Sequence, residues 1–324
     1  MRSGNSNNFR KIKCAAVLTA AVFILPSCKG LELENKTEQV EEYTKEQAMV
    51  IISNERNRYE NAYSEDIWKI SVDDEGTGFD KLTIQNVKSY LEEIKLLCML
   101  ADERGISITS TERDIVRQMT DEYMAGLDEG DLEYIGCTRD DVQKMYTDIF
   151  QAEKLINSIT GTVDSEISDS EAKVISIQQI VTADEKKAKA ILKRIKIDGE
   201  NFNSMASRYT EDEEIDLKLM RSDNDEDIIT RTAFSLEENE VSNILFKDGL
   251  YYIIKCTDGY AEEDTLLRKA RLEEAMNNKA VMDIIGPYRN EHNIQFVERF
   301  WNNMDFSEPD GSKADDFFDI YNEY

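Results

Sequence analysis

Few side chains of the usual catalytic kinds stand in this sequence. It holds one histidine, His292, and five cysteines, Cys14, Cys28, Cys98, Cys137 and Cys256. A single imidazole excludes the common histidine-based nucleophilic sites and leaves no histidine set for zinc. No two cysteines have CxxC spacing, so neither a zinc knuckle nor a redox dithiol is written here. Cys98 and Cys137 stay open as a pair, because sequence does not show whether they are neighbours. His292 lies outside any motif and reads as a surface residue. Asp223, Asp225, Glu226 and Asp227 cluster, but without the ligand spacing and turn glycine of an EF-hand. No metal and no cofactor is expected.

Cys28 has a different chemistry written around it. Positive residues end at Lys13, and the apolar run Cys14 to Leu25 follows. That length suits the apolar part of a signal segment and is too short to span a bilayer as a finished helix. Leu25-Pro26-Ser27-Cys28 then resembles a bacterial lipobox, with an aliphatic residue, a small residue and the cysteine that accepts diacylglycerol. The expectation is that residues 1–27 are a signal peptide, cut before Cys28, and that lipid is attached to that cysteine. Two or three acyl chains on one cysteine anchor stably, because each buried methylene contributes about 0.8 kcal/mol. The alternative is ordinary secretion with an incidental cysteine. Either way the protein is placed outside the cytoplasm, and under the first reading on the outer face of a bacterial cell membrane.

The chain has 324 residues, is 40% hydrophobic and carries a formal charge of −28. It can support a packed core and two or three modest domains. Its acidity excludes nucleic acid as a partner, since such a surface repels phosphates. It fits basic clients or simple solubility.

The elements that position any site divide into three stretches. Residues 28–43 read as a flexible tether. Residues 44–162 read as helical. Thr44-Lys45-Glu46-Gln47 and Thr109-Ser110-Thr111-Glu112 are capping boxes. Val87, Leu91, Ile94, Leu97, Cys98 and Ala101 recur at helical spacing, as do Val142, Met145, Ile149, Ala152 and Leu155. Residues 163–259 change character. A β-branched strand spans Lys173 to Val181, and amphipathic helices run over 184–197 and 202–209. An acidic loop over 211–227 comes next. Strands near Ile244–Phe246 and Tyr251–Thr257 flank the turn signal Asp248-Gly249. Residues 260–301 read as a C-terminal helical segment that packs back on the N-terminal module, with Ile294 to Trp301 extended. Residues 302–324 read as a loose acidic, aromatic tail. The fold class expected is α+β, a helical module plus a small antiparallel sheet with helices.

Several motifs inside the middle stretch occur in a familiar order. They are Lys173-Val174 with Gln179-Ile180-Val181, then Ala188 to Ile197, then Gly199-Glu200-Asn201-Phe202-Asn203-Ser204-Met205-Ala206. Arg208-Tyr209-Thr210-Glu211-Asp212 follows, then Thr232-Ala233-Phe234-Ser235-Leu236 with Asn239-Glu240-Val241-Ser242. Asp248-Gly249-Leu250-Tyr251-Tyr252-Ile253-Ile254-Lys255 closes the set. Together these resemble a parvulin-type peptidyl-prolyl isomerase domain, of the kind found in the PrsA- and SurA-type extracytoplasmic foldases. The helical flanks resemble the chaperone module of those foldases.

The resemblance implies a site and a function. Parvulins hold proline over an apolar floor beside a polar cluster with two histidines on adjacent strands. Gln178 and Tyr252 are assigned to those two positions, so both family histidines are replaced. Asp216 with Leu217 stands where the family has a glycine-rich turn, and Ile229 stands for the phenylalanine that grips proline. Gln178 and Tyr252 are expected to hydrogen-bond to each other. The implied function is a membrane-anchored foldase or chaperone for unfolded, newly exported polypeptides, with a degenerate isomerase domain and a homodimer as one assembly. The alternative is an active isomerase with a divergent site. A solute-binding lipoprotein is the third reading, and it requires strand–helix alternation in two lobes.

Overall fold

The computed structural model describes residues 38–162, 166–221, 227–306 and 312–324. Cys28, the signal segment and most of the tether lie outside the described residues, as do Asp223, Asp225 and Glu226. In chain order the first elements are β1 (Glu38–Glu41), α1 (Lys45–Tyr63), α2 (Phe79–Glu103), α3 (Ser110–Gly126), α4 (Glu129–Ile135) and α5 (Arg139–Thr160). Next come α6 (Asp169–Ala172), β2 (Val174–Thr182), α7 (Glu185–Lys196), α8 (Phe202–Tyr209), β3 (Asp216–Met220) and α9 (Ile228–Ala233). The last are β4 (Leu245–Lys247), β5 (Leu250–Asp258), α10 (Glu262–Glu291), β6 (His292–Gln295), α11 (Glu298–Asn302) and α12 (Phe317–Glu323). No helix among the described residues is long and apolar enough to cross a membrane.

The chain forms two units, one of Met1–Thr162 with Val281–Tyr324 and one of Val163–Ala280. The boundary expected at 259/260 therefore moves to 280/281, because Thr265 and Arg268 of α10 bond within the second unit. Thr265 Oγ1 accepts from the amide of Val174 at 3.0 Å, and Arg268 donates to the carbonyl of Lys173 at 3.2 Å.

Unit one is built on capped amphipathic helices. The Thr44 and Thr109 boxes close reciprocally, each side chain taking an amide of the first turn and each partner side chain reaching back. The periodic apolar residues of α2 and α5 are all buried, and α2 and α3 both pack on α5. Gly105 ends α2 at φ +68°, a left-handed position that suits a residue without Cβ.

Four expectations for this unit are corrected. The last tether residues are a strand: β1 pairs in parallel with β6, and the buried Tyr43 donates to Asp148 Oδ2 at 2.7 Å. The segment read as extended over 294–301 is β6 followed by α11. His292 is buried, stacks on Tyr288 at 4.0 Å and bonds its carbonyl through Nδ1 at 2.8 Å. The tail is ordered where described, and buries Phe306, Phe317, Phe318, Ile320 and Tyr321. Its acids sit between those aromatics, with Asp319 and Glu323 exposed and Asp315 and Asp316 half-buried. Cys98 and Cys137 are unpaired and buried, with Cys98 donating to the carbonyl of Asp148 at 3.2 Å.

Unit two is an antiparallel sheet in the order β3-β2-β5-β4. Helices α7 and α8 cover one face through Ile191, Phe202, Met205 and Ala206 against Ile180 and Ile253. Helix α9 covers the other through Ile229 and Ala233 against Ile175, Ile177 and Ile254. Part of the region read as an acidic loop is β3, an edge strand whose Leu217 and Leu219 point inward while Asp216, Lys218 and Met220 stay exposed. The fold class is α+β.

Candidate functional site

Strand parity decides which residues of unit two share a face. Residues directly opposite on paired strands point the same way, and successive residues alternate. Val181 stands opposite Tyr252, and Gln178 stands opposite Lys255 and Asp216. Gln178 therefore lies on the face opposite to Tyr252. The hydrogen bond expected between them does not form. Gln178 Nε2 donates instead to Asp216 Oδ1 at 2.9 Å.

The site residues thus separate into two groups. Leu217, Ile229 and Tyr252 meet on the α9 face, with Leu219, Phe234, Leu236 and Leu245 around them. Gln178 and Asp216 sit together on the α7–α8 side of the sheet. The glutamine that shares the α9 face with Tyr252 is Gln179, which stands opposite Ile254. Motif matching selected its neighbour. The signal that identifies Gln179 is parity counted from the buried isoleucines, since Ile175 and Ile177 lie on the α9 face and Ile180 on the other.

Gln179 is committed to the backbone. It is 5% exposed, and its Nε2 donates to the carbonyl of Glu214 at 2.9 Å while its amide donates to the carbonyl of Ile215 at 2.8 Å. The Tyr252 phenol makes no hydrogen bond to another described residue. Ile229 is 7% exposed, so it underlies the face rather than opening onto it. Leu217 is half-buried and does reach the surface of the cluster.

The rim of this face carries an ion pair. Lys247 Nζ lies 2.8 Å from Asp227 Oδ1, and Asp227 Oδ2 also caps α9 by accepting from the amide and hydroxyl of Thr230 at 3.1 and 2.8 Å. Partial burial pushes the Asp227 carboxyl up, but Lys247 and Thr230 outweigh it and hold it at about 2. The Arg221 guanidinium stands 4.9 Å from the centre of the Phe234 ring. On the opposite side, Glu211 is held at about 2 by Lys187, the amide of Ala183 and the hydroxyl of Thr182. It pins the start of α7 to the end of β2.

An apolar face with one phenol and no imidazole has little with which to favour a twisted amide. Isomerisation breaks no covalent bond, but its barrier is roughly 18–20 kcal/mol of amide resonance. Lowering it requires groups that hold the transition state better than either planar form.

Residues 167–260 match the family model of the PPIC-type PPIASE domain. No curated protein matches the chain. Among solved structures, the chain is similar to the foldase protein PrsA from Streptococcus pneumoniae, at 19% identity and a TM-score of 0.30, over 59% of this chain and 86% of that one. It is similar to PrsA from Bacillus subtilis at 20% identity and a TM-score of 0.26, over 72% and 98%. It is also similar to the peptidylprolyl isomerase PrsA from Bacillus cereus at 20% identity and a TM-score of 0.35, over 74% and 90%.

Proposed function

We propose, for a chain whose residues 167–260 belong to the PPIC-type PPIase family, that it is an extracytoplasmic foldase that binds unfolded exported polypeptides and has lost most isomerase activity. Unit one would act as the chaperone module, and unit two as a scaffold or peptide platform. Lipid on Cys28 would hold the protein at the outer face of the membrane, where clients emerge. A homodimer is compatible with this role.

One observation carries the loss of activity. Gln178 and Asp216, assigned to the family's site, bond each other on the far face, and Gln179, which was not assigned but shares the α9 face with Tyr252, is buried against the Glu214 carbonyl. That leaves Tyr252 as the one polar side chain of the assigned set available on the apolar face. The runner-up, an active isomerase, is favoured by that same phenol, because the reaction needs no proton transfer. A solute-binding lipoprotein has no support, since the sheet of unit two is antiparallel and not one lobe of a strand–helix alternation.

The test is a protease-coupled isomerisation assay on a panel of Xaa-Pro peptides. The natural chain is run beside a variant carrying Gln179→His and Tyr252→His, and one carrying Gln178→His and Tyr252→His. We expect background rates for the natural chain and a gain only in the Gln179 variant, whose two imidazoles share a face. Acceleration well above background by the natural chain would establish the active-enzyme reading instead.

A further inference from the structure

The C-terminal segment of unit one is held the way a peptide ligand is held. Residues 312–316 have no regular secondary structure, yet Ser312 and Ala314 are each only 8% exposed. A buried chain outside a helix or sheet must find other partners for its backbone. Buried side chains of the helical module supply them. Asp131 Oδ1 accepts the amides of Lys313 and Ala314 at 2.6 and 3.0 Å and the hydroxyl of Ser312 at 3.0 Å. Asn54 Oδ1 accepts the amide of Phe317 at 2.9 Å. Asn57 Nδ2 donates to the carbonyl of Ala314 at 3.0 Å, and the Tyr146 hydroxyl donates to that of Phe317 at 2.9 Å.

Aromatic walls complete the groove. Phe317 stacks on Tyr146 with centroids 4.1 Å apart and meets Tyr123 edge-on at 5.4 Å. Polar rungs that read a backbone, set beside aromatic walls that take side chains, are the two parts of a peptide-recognition site.

The chain's own segment fits this groove imperfectly. The Tyr123 hydroxyl is fully buried beside Phe317 and has no hydrogen-bond partner among the described residues. An occupant that offers an acceptor there would remove that penalty. The segment is also acidic, and so is its seat. Burial, then the carboxylates of Asp315, Asp319 and Asp131, push the Asp316 carboxyl up. No cation among the described residues pairs with Asp316. Further along, the Tyr321 and Tyr324 hydroxyls donate to Glu153 and Glu122, two more acids of the helical module.

We propose that this groove is a binding site for extended, aromatic polypeptide segments that carry basic residues, and that the acidic C-terminal segment is a displaceable occupant. An unfolded client with lysine or arginine beside its aromatics would relieve the like-charge contact and take the same backbone rungs. The inference deepens the chaperone reading of unit one and rests on it. It does not depend on whether unit two isomerises proline.

The test uses the full chain and three fluorescent peptides. One copies residues 312–324, one copies it with Asp315→Lys, Asp316→Lys and Asp319→Lys, and one is a scramble of the second. Binding is read by anisotropy. Displacement is read by amide hydrogen exchange of residues 312–323 under saturating peptide. We expect the lysine peptide to bind at least tenfold tighter than the acidic copy or the scramble, and to deprotect the segment. Phe317→Ala weakens the internal occupant and should tighten peptide binding at least tenfold, because the competent fraction rises. Asp316→Lys removes the like-charge contact with Asp131, so it should improve the internal occupant and weaken peptide binding. Absence of binding by every peptide, or full protection of residues 312–323 at saturation, overturns the proposal. So does an Asp316→Lys chain that binds peptide as tightly as the natural one. If the chain still suppresses aggregation of a denatured client under any of those outcomes, the groove assignment has failed and the chaperone reading stands.

Discussion

Replacing Asp131 by asparagine should cost unit one about 2–4 kcal/mol, although the side chain keeps its shape. Asp131 is 3% exposed. Its Oδ1 takes two amides and a hydroxyl from residues 312–314, and its Oδ2 takes the amide of Asp128 at 2.9 Å as half of the α4 capping box. Asparagine retains one acceptor oxygen. Whichever way it turns, its NH₂ faces a backbone amide, and the remaining bonds lose the strengthening of a full charge. One charge-assisted bond lost is worth about 1.5–3 kcal/mol, and weakening the others adds to it. The two tryptophans of the chain, Trp68 and Trp301, are buried and both lie in unit one. Their fluorescence during urea unfolding therefore reports this unit. At an m-value of about 2 kcal/mol/M, the midpoint should fall by roughly 1–2 M. The pH dependence gives a second reading. Burial raises the Asp131 carboxyl, but the hydrogen bonds from Lys313, Asp128, Ser312 and Ala314 hold it below its ordinary value. A carboxyl depressed in the folded state contributes stability above its unfolded value of about 3.9, and that contribution is lost as pH falls through the folded value. The natural chain should lose stability on acidification below about pH 4, and Asp131→Asn should lose less. A change smaller than about 0.5 kcal/mol, with the same acid slope in both proteins, would refute the idea that this carboxylate anchors the segment.

Two further changes test the frame around the sites. Asp227→Ala should cost unit two about 1–2 kcal/mol, since it removes the cap of α9 and the exposed pair with Lys247. That contribution should be complete above about pH 4 and vanish as pH falls through the folded value of about 2, which circular dichroism melts across that range would show. Gly105→Ala meets no neighbour within 4 Å, but places a Cβ at φ +68°. It should cost about 1–2 kcal/mol from backbone strain alone, and an unchanged urea midpoint would contradict that account.

Helical architecture was legible because its signals are local. The Thr44 and Thr109 boxes and the stripes of α2 and α5 need only neighbours within a turn or two. What escaped was non-local. The parallel pairing of β1 with β6 joins residues far apart in sequence, and short polar strands carry no alternation that announces a partner. The C-terminal segment reads as a loose tail by composition, because Asp315, Asp316 and Asp319 weigh on the average. Its aromatics are instead placed to meet Tyr123 and Tyr146, and the polar residues of α1 that receive its backbone read as surface positions until that backbone arrives. Ser53 and Asn54 directly follow the buried run Met49–Ile52, Asn57 stands one turn after Ser53 on the same helix, and all three are themselves buried. Short polar side chains continuing an apolar run were the available signal, since a helix interior does not favour them and a distant backbone can use them.

The candidate site in unit two shows why a motif can be found while its chemistry is misplaced. Matching short motifs fixes position to within a residue, and one residue in a strand inverts the side chain. Gln178 and Gln179 are chemically identical, so composition does not separate them. Their surroundings do. Counting alternation from Ile175 and Ile177 puts Gln179 with Tyr252, and the pairing of Gln178 with Lys255 and Asp216 puts it among charges on the other side. The same count constrains function. A fully buried polar side chain on the α9 face lies among apolar neighbours and needs a hydrogen-bond partner there. Gln179 has one in the carbonyl of Glu214. Its side-chain amide reaches a bound peptide only by giving up that bond, at a net cost of about 0.5–1.5 kcal/mol. A group that must first break its own anchor contributes that much less to a transition state, so Gln179 holds β2 against the loop before β3 instead of addressing a peptide.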